Sequence, residues 1–160
     1  MASGMKKTGN WGQVNKIVNH LSGDINKGTQ VALKQVGLKA ESIAVKHIKN
    51  QDLEWEDLDE DYKERKGKKG LSTKTLVSTS DYMNSITSNS DGKTAFAGVK
   101  KDVKSKDGTE IISIAAVHEF GTDNIPKREL WKPTFEETLQ WVIDKKVFQT
   151  EVLKKINKRK

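Results

Sequence analysis

Apolar positions in the first fifty residues recur at helical spacing. Val14, Ile17, Val18 and Leu21 form one stripe, Ser22-Gly23-Asp24 interrupts it, and Ile25, Ala32, Leu33, Val36, Ala40, Ile43, Ala44, His47 and Ile48 form a second. Steps of three and four residues put such side chains on one face of a helix. Asp24 is placed to cap the second helix by accepting backbone N–H bonds. Gly28 and Gly37 each cost a helix roughly 1 kcal/mol relative to Ala, and they allow close packing or a bend. An acidic segment follows, in which Trp55, Leu58 and Tyr62 give one apolar edge to a short helix or turn. Lys66 to Gly70 reads as a basic, glycine-flanked loop.

Order resumes at Leu76-Val77, and Thr79 or Ser80 can cap a short helix carrying Tyr82, Met83 and Ile86. The pattern then changes period. Thr94 to Val99 predicts a strand centred on Phe96. Val103 to Thr109 predicts a charged hairpin tip closed by Asp107-Gly108, and Ile111 to Val117 the returning partner strand. A two-stranded ribbon is marginal alone, so it must pack on helices. Pro133 sits near the start of a last helix, where its missing N–H does no harm. Phe135, Leu139, Val142, Ile143, Val147 and Leu153 are the expected buried side of that helix, with Trp141 on its margin. The sequence shows no internal repeat. The pattern predicts an α+β fold, with a long N-terminal helix and a C-terminal helix packed on a small antiparallel sheet with an extended hairpin. It divides the chain into a flexible tail (1–12), one domain (13–153) and a basic tail (154–160) expected to fray.

Composition adds limits. The chain has 160 residues, 34% of them hydrophobic, which is below the usual globular share and enough for one domain with a modest core. No apolar run approaches a membrane span, and the first residues lack a signal-peptide core. There is no cysteine, which removes disulfides, thiolate chemistry and cysteine-bound metals and fits a reducing cytoplasm. Net charge is +7 and unevenly spread. Residues 1–50 hold eight Lys against two acids, 51–65 hold eight acids against Lys63 and Arg65, and 141–160 hold seven basic groups against Asp144 and Glu151. Positive ends around a negative middle suit partner docking, passing nucleic acid, or plain solubility.

Candidate chemistry concentrates in Val117-His118-Glu119-Phe120-Gly121-Thr122-Asp123-Asn124-Ile125-Pro126-Lys127-Arg128. On a strand His118 and Glu119 point to opposite faces, so they form no natural catalytic pair. There is no HExxH, no nucleophile elbow, no phosphate-binding glycine loop, no zinc-finger spacing and no base-stacking aromatic array. Gly121 permits a turn, and Pro126 biases Ile125 towards extended backbone. The Arg128 guanidinium suits a carboxylate, with Glu119, Glu136 and Glu137 as candidates inside one subunit or across a subunit joint. The residues thus point to no enzyme, no cofactor and no metal site. A small hydrolase built on His118 with Glu119 or Asp123 is the weakest alternative. A small basic nucleic-acid-binding protein, using its lysine-rich ends on phosphates, is the stronger one.

Three blocks resemble the family of tailed-bacteriophage virion morphogenesis proteins, also called tail completion or head–tail joining proteins. They are Trp55-Glu56-Asp57-Leu58 with Tyr62 and Lys66; Leu76-Val77-Ser78-Thr79-Ser80-Asp81-Tyr82-Met83-Asn84-Ser85-Ile86; and Ala115 to Thr122 followed by Ile125-Pro126-Lys127-Arg128. The third is the most specific, and together they span about residues 55–145. Ser80 stands where the family has glycine, Tyr82 where leucine is common, and Glu129-Leu130-Trp131 where a Pro-Phe-Leu-like run is usual. The resemblance implies a ring-forming, non-enzymatic virion component of the neck or proximal tail, assembled in the host cytoplasm. Its partners would be copies of itself in a cyclic homo-oligomer, the phage head connector or adaptor, and the tail tube or terminator proteins. Genomic DNA would pass through the lumen, and no membrane would be involved. The residues expected on or under the subunit contact are His118, Glu119, Phe120, Gly121, Thr122, Ile125, Pro126 and Arg128, with Trp55, Leu58 and Tyr62.

Overall fold

The computed structural model describes residues 9–158, so most of the expected N-terminal tail (1–8) and the last two basic residues lie outside the described part. The elements are α1 (Trp11–Asn50), α2 (Glu60–Lys68), α3 (Asp81–Ser85), β1 (Ile86–Ser90), β2 (Ala95–Val99), α4 (Ile111–Phe120), α5 (Trp131–Asp144) and α6 (Val147–Asn157). The fold is α+β, a long N-terminal helix and C-terminal helices packed on a two-stranded antiparallel sheet.

One helix replaces the two expected at the N-terminus. It starts inside the span read as tail, capped by Asn10, whose side chain accepts from Gln13 N at 3.2 Å. It runs through Ser22-Gly23-Asp24 without a break, so Asp24 is a buried mid-helix residue and not a cap. A single glycine costs about 1 kcal/mol, too little to interrupt a helix that buries a long face. Gly28 shows what that face requires. A Cβ built there would stand 2.5 Å from Val152 Cα, so α6 lies directly on the backbone of α1. Gly37 gives the same kind of access to the sheet, since a Cβ built there would lie 3.3 Å from Ser88 Cβ.

The ribbon is the main departure. β2 lies where expected, but its partner is β1, in the register Ile86↔Val99 to Ser90↔Ala95. The chain holds two Asp-Gly reversals, and the hairpin uses the first. Gly92 takes φ 85°, and Asp91 Oδ1 accepts from Lys93 N (2.8 Å) and Thr94 N (2.7 Å). The second reversal also forms, with Gly108 N donating to Ser105 O at 2.9 Å and Ser105 N to Thr109 O at 2.8 Å. It leads into helix α4 instead of a strand. The β-branched run Ile111 to Val117 takes its conformation from packing, with Ile111 and Ala115 one turn apart and both buried.

The C-terminal helix divides at Lys146, which adopts left-handed backbone (φ 47°, ψ 46°). The buried side of α5 is not the one expected, although Val147 at the start of α6 is buried as expected and Val142 is half-buried. Thr134 and Thr138 face inward, their hydroxyls donating to Leu130 O and Thr134 O at 2.7 Å. Phe135, Leu139 and Ile143 face solvent, Phe135 with 67% of its surface exposed, and Leu153 of α6 is exposed too. Returning each hydroxyl to the helix's own carbonyl leaves no unsatisfied group, so threonine can be buried cheaply. Lys154 to Asn157, expected to fray, are the last turn of α6. Lys66 belongs to α2 and is buried, its ammonium donating to Lys74 O at 3.3 Å.

Candidate functional site: the clasp from His118 to Arg128

Helix α4 stops at Gly121 (φ 75°), whose N–H closes on Val117 O at 2.8 Å. A Cβ there would lie 3.2 Å from Lys127 N and 3.3 Å from Ile125 O, so the chain folds tightly over this glycine. Thr122 and Ile125 close the turn, Thr122 N donating to Ile125 O at 2.9 Å and Ile125 N to Thr122 Oγ1 at 3.1 Å. Past Pro126 the backbone returns to the end of α4, where Arg128 N donates to His118 O at 2.7 Å.

Two side chains then stitch this clasp to the acidic segment. Arg128 is 4% exposed, and its Nε and Nη2 both donate to Glu56 O at 3.2 Å. Trp55 Nε1 donates in the opposite direction, to Glu129 O at 2.9 Å. The Arg128 fork therefore engages a backbone carbonyl and none of the carboxylates considered from sequence. Glu119 has a different task. Its carboxylate accepts from Leu130 N (2.8 Å) and Trp131 N (3.2 Å), the free donors at the start of α5. That role carries no local signal, because Glu119 lies eleven residues before the N–H it satisfies.

His118 is mostly enclosed, and its Nδ1 is buried without a hydrogen-bond partner. Burial holds its pKa below the ordinary value, and the Arg128 charge lowers it further. The neutral imidazole is favoured, and the Glu119 carboxylate is engaged by the N–H groups of α5. Burial also pushes the Tyr82 hydroxyl up, with the Glu119 charge adding to it. Leu58, Tyr62, Lys66, Val77 and Ile114 line a small cavity of about 120 Å³ beside His118. Phe120 points the other way and is 77% exposed. Among the described residues, no group of three or more His, Asp or Glu is placed to hold a metal ion.

The three blocks that carry the resemblance meet in one core. Tyr82 and Ile86 of the second block pack with Ile111, Ala115 and Leu130, and Trp55, Leu76, Val77 and Ile114 close around them. A separate polar pair, unforeseen from sequence, closes the end of α1 beside α5. His47 is buried, with Nδ1 2.6 Å from Asp52 Oδ1 and Nε2 3.3 Å from Glu137 Oε2. The Nε2 contact lacks hydrogen-bond geometry, so Asp52 is the working partner, and its hydrogen bond to His47 lowers the Asp52 pKa. No described helix is long and apolar enough to cross a membrane. Comparisons with protein families, characterised proteins and solved structures each find no match.

Proposed function

We propose that this protein is a structural component of a tailed-bacteriophage virion, a ring-forming head–tail joining or tail completion protein. The observation that carries this reading is where the chain puts its apolar side chains. Val14, Ile17, Val18 and Leu21 on α1, Phe120 at the end of α4, and Phe135, Leu139 and Ile143 on α5 are all exposed. Large apolar surface left outside a fold of this size marks contact with other macromolecules. Three titratable groups of the clasp are committed to structure: Glu119 caps α5, Arg128 holds Glu56 O, and the buried His118 favours its neutral form. Phe120 is the part of the clasp offered to a neighbour, and the rest holds it in place. The sequence resemblance supplies the virion context, with cyclic self-association and docking to head and tail proteins as the partners it implies.

The test is deletion of this protein from the phage, with complementation in trans. The expected result is filled heads and complete tail tubes that stay unjoined, rescued by the wild-type chain. Normal infectious particles in the deletion overturn the proposal. Steep loss of DNA affinity with added salt by the purified protein, alongside normal particles, would favour a small basic nucleic-acid-binding protein instead.

A further inference from the structure

Every residue from Trp11 to Ser22 is exposed. Helix α6 runs along α1 in the opposite direction, with Phe148 beside Val36 and Ala40 and Val152 against Gly28, and it ends at Asn157. The first three turns of α1 therefore extend past the end of α6. Their stripe Val14, Val18, Leu21 and Ile25 continues at the same three-and-four spacing through Gly28 and Ala32, both buried. This is the spacing of a helix–helix seam. The overhang contains Asn15, Ile17, Val18, Asn19, His20 and Gly23, all weak helix formers, so its helical state depends on packing.

The described residues form a largely apolar groove of about 430 Å³ between α1, β2, α5 and α6. Val36, Phe96, Phe135, Leu139, Val142 and Phe148 line it. Each chain's own stripe is out of reach of its own groove. Leu21 and Val36 lie on one unbroken helix, which holds them about 22 Å apart at 1.5 Å per residue. Charge agrees with a contact between copies. Among residues 11–23 Lys16 is the one lysine and there is no acid, and no residue lining the groove is charged, so two nearly uncharged surfaces meet.

We infer that the α1 overhang of one copy packs into the groove between α1, β2 and α5 of a second copy. The inference rests on the assembly reading above and names the surfaces it uses. Stripe and groove are different patches, so the contact is head-to-tail and repeats from copy to copy, closing into a ring where the rotation per copy allows it. Seated in a neighbour, the overhang buries its stripe and covers Phe135 and Leu139 in one step.

The absence of cysteine makes the test direct. Val18→Cys and Leu139→Cys are made in separate full-length chains, mixed at high protein concentration and oxidised. The expected product is the mixed Val18→Cys/Leu139→Cys dimer, at least tenfold over either homodimer. Leu21→Asp and Phe135→Asp, both at exposed positions, should each weaken self-association at least tenfold by mass measurement, with helical circular dichroism unchanged. A dominant Val18→Cys homodimer means that overhangs pair with each other, and it overturns the inference. So does the absence of cross-linking at high concentration. If the Asp variants and the wild-type chain form the same oligomer, the inference falls while the assembly reading stands. The phage deletion decides that reading independently.

Discussion

Gly23 and Gly28 lie five residues apart on one helix and tolerate a side chain differently. Nothing lies within 4 Å of a Cβ at Gly23, whereas one at Gly28 meets the Val152 backbone. Gly23→Ala should stabilise the protein by about 0.5–1 kcal/mol through helix propensity. Gly28→Ala should destabilise it by about 1–3 kcal/mol, because α6 must move away. Urea unfolding midpoints should shift in opposite directions. His118 gives a pH signature. Its folded pKa lies below its unfolded value, so the neutral ring contributes stability that is fully present above pH ~6.5. That contribution is lost as pH falls from there towards the folded pKa. His118→Gln should flatten this part of the stability profile, and an unchanged profile would assign the acid loss to other groups. At this scale the sequence is informative about backbone needs, such as close packing at Gly28 and a turn at Gly121. It is silent about partners such as Glu56 O for Arg128, because backbone acceptors leave no trace in residue identity.

Between α5 and α6, Lys146 holds left-handed backbone that costs a side-chain-bearing residue roughly 1 kcal/mol. Lys146→Gly should relieve much of this and raise the unfolding midpoint, provided the joint keeps its angle. A lower midpoint would mean that the lysine stem contributes packing that outweighs its backbone cost. The joint itself is invisible in the pattern of apolar positions, which runs on from Phe135 to Leu153 as if through one helix. The same pattern misassigns the faces of α5, since it takes apolar as buried, whereas the inner positions belong to Thr134 and Thr138. The strand pairing fails for a related reason. Two Asp-Gly reversals flank β2, local chemistry suits both, and only the packing of Ile111 and Ala115 against Tyr82 and Leu130 selects between them. Element types near long periodic segments are well specified by sequence, as in α1. Short β-branched runs are not, because burial and not propensity fixes them.

For the molecule as a whole, the clasp decides whether the acidic segment and α5 stay attached to the core. Arg128→Ala removes both bonds to Glu56 O and leaves a hole at a buried site, so it should destabilise the folded monomer by about 1–3 kcal/mol. Arg128→Lys should recover only part of this, since an ammonium cannot reproduce the two-pronged contact. Calorimetry on the isolated protein checks both. An unchanged melting temperature for Arg128→Ala would assign the arginine to contacts between molecules instead. The general architecture, helices at both ends of a small sheet, follows from the change of hydrophobic period along the chain. The gathering of residues 55–58, 76–86 and 111–131 around one core does not, because it depends on contacts over more than seventy residues, such as Trp55 to Glu129.

Helix α1 has 40 residues, which makes it about 60 Å long. A domain of this size has a radius of gyration of only about 15 Å, so the helix is a lever longer than the body that holds it. It is held from Gly28, packed against Val152, through Gly37, packed against the sheet, to Gln51, whose side chain is bound to Thr75. A bend of about 10° where it leaves α6 near Gly28 would carry the Trp11 end, about 25 Å away, by roughly 4 Å, given the helix rise. A partner that grips the far end therefore pulls on the contact between α1 and α6 at Gly28, and a small rearrangement there is read out as a larger displacement at the tip.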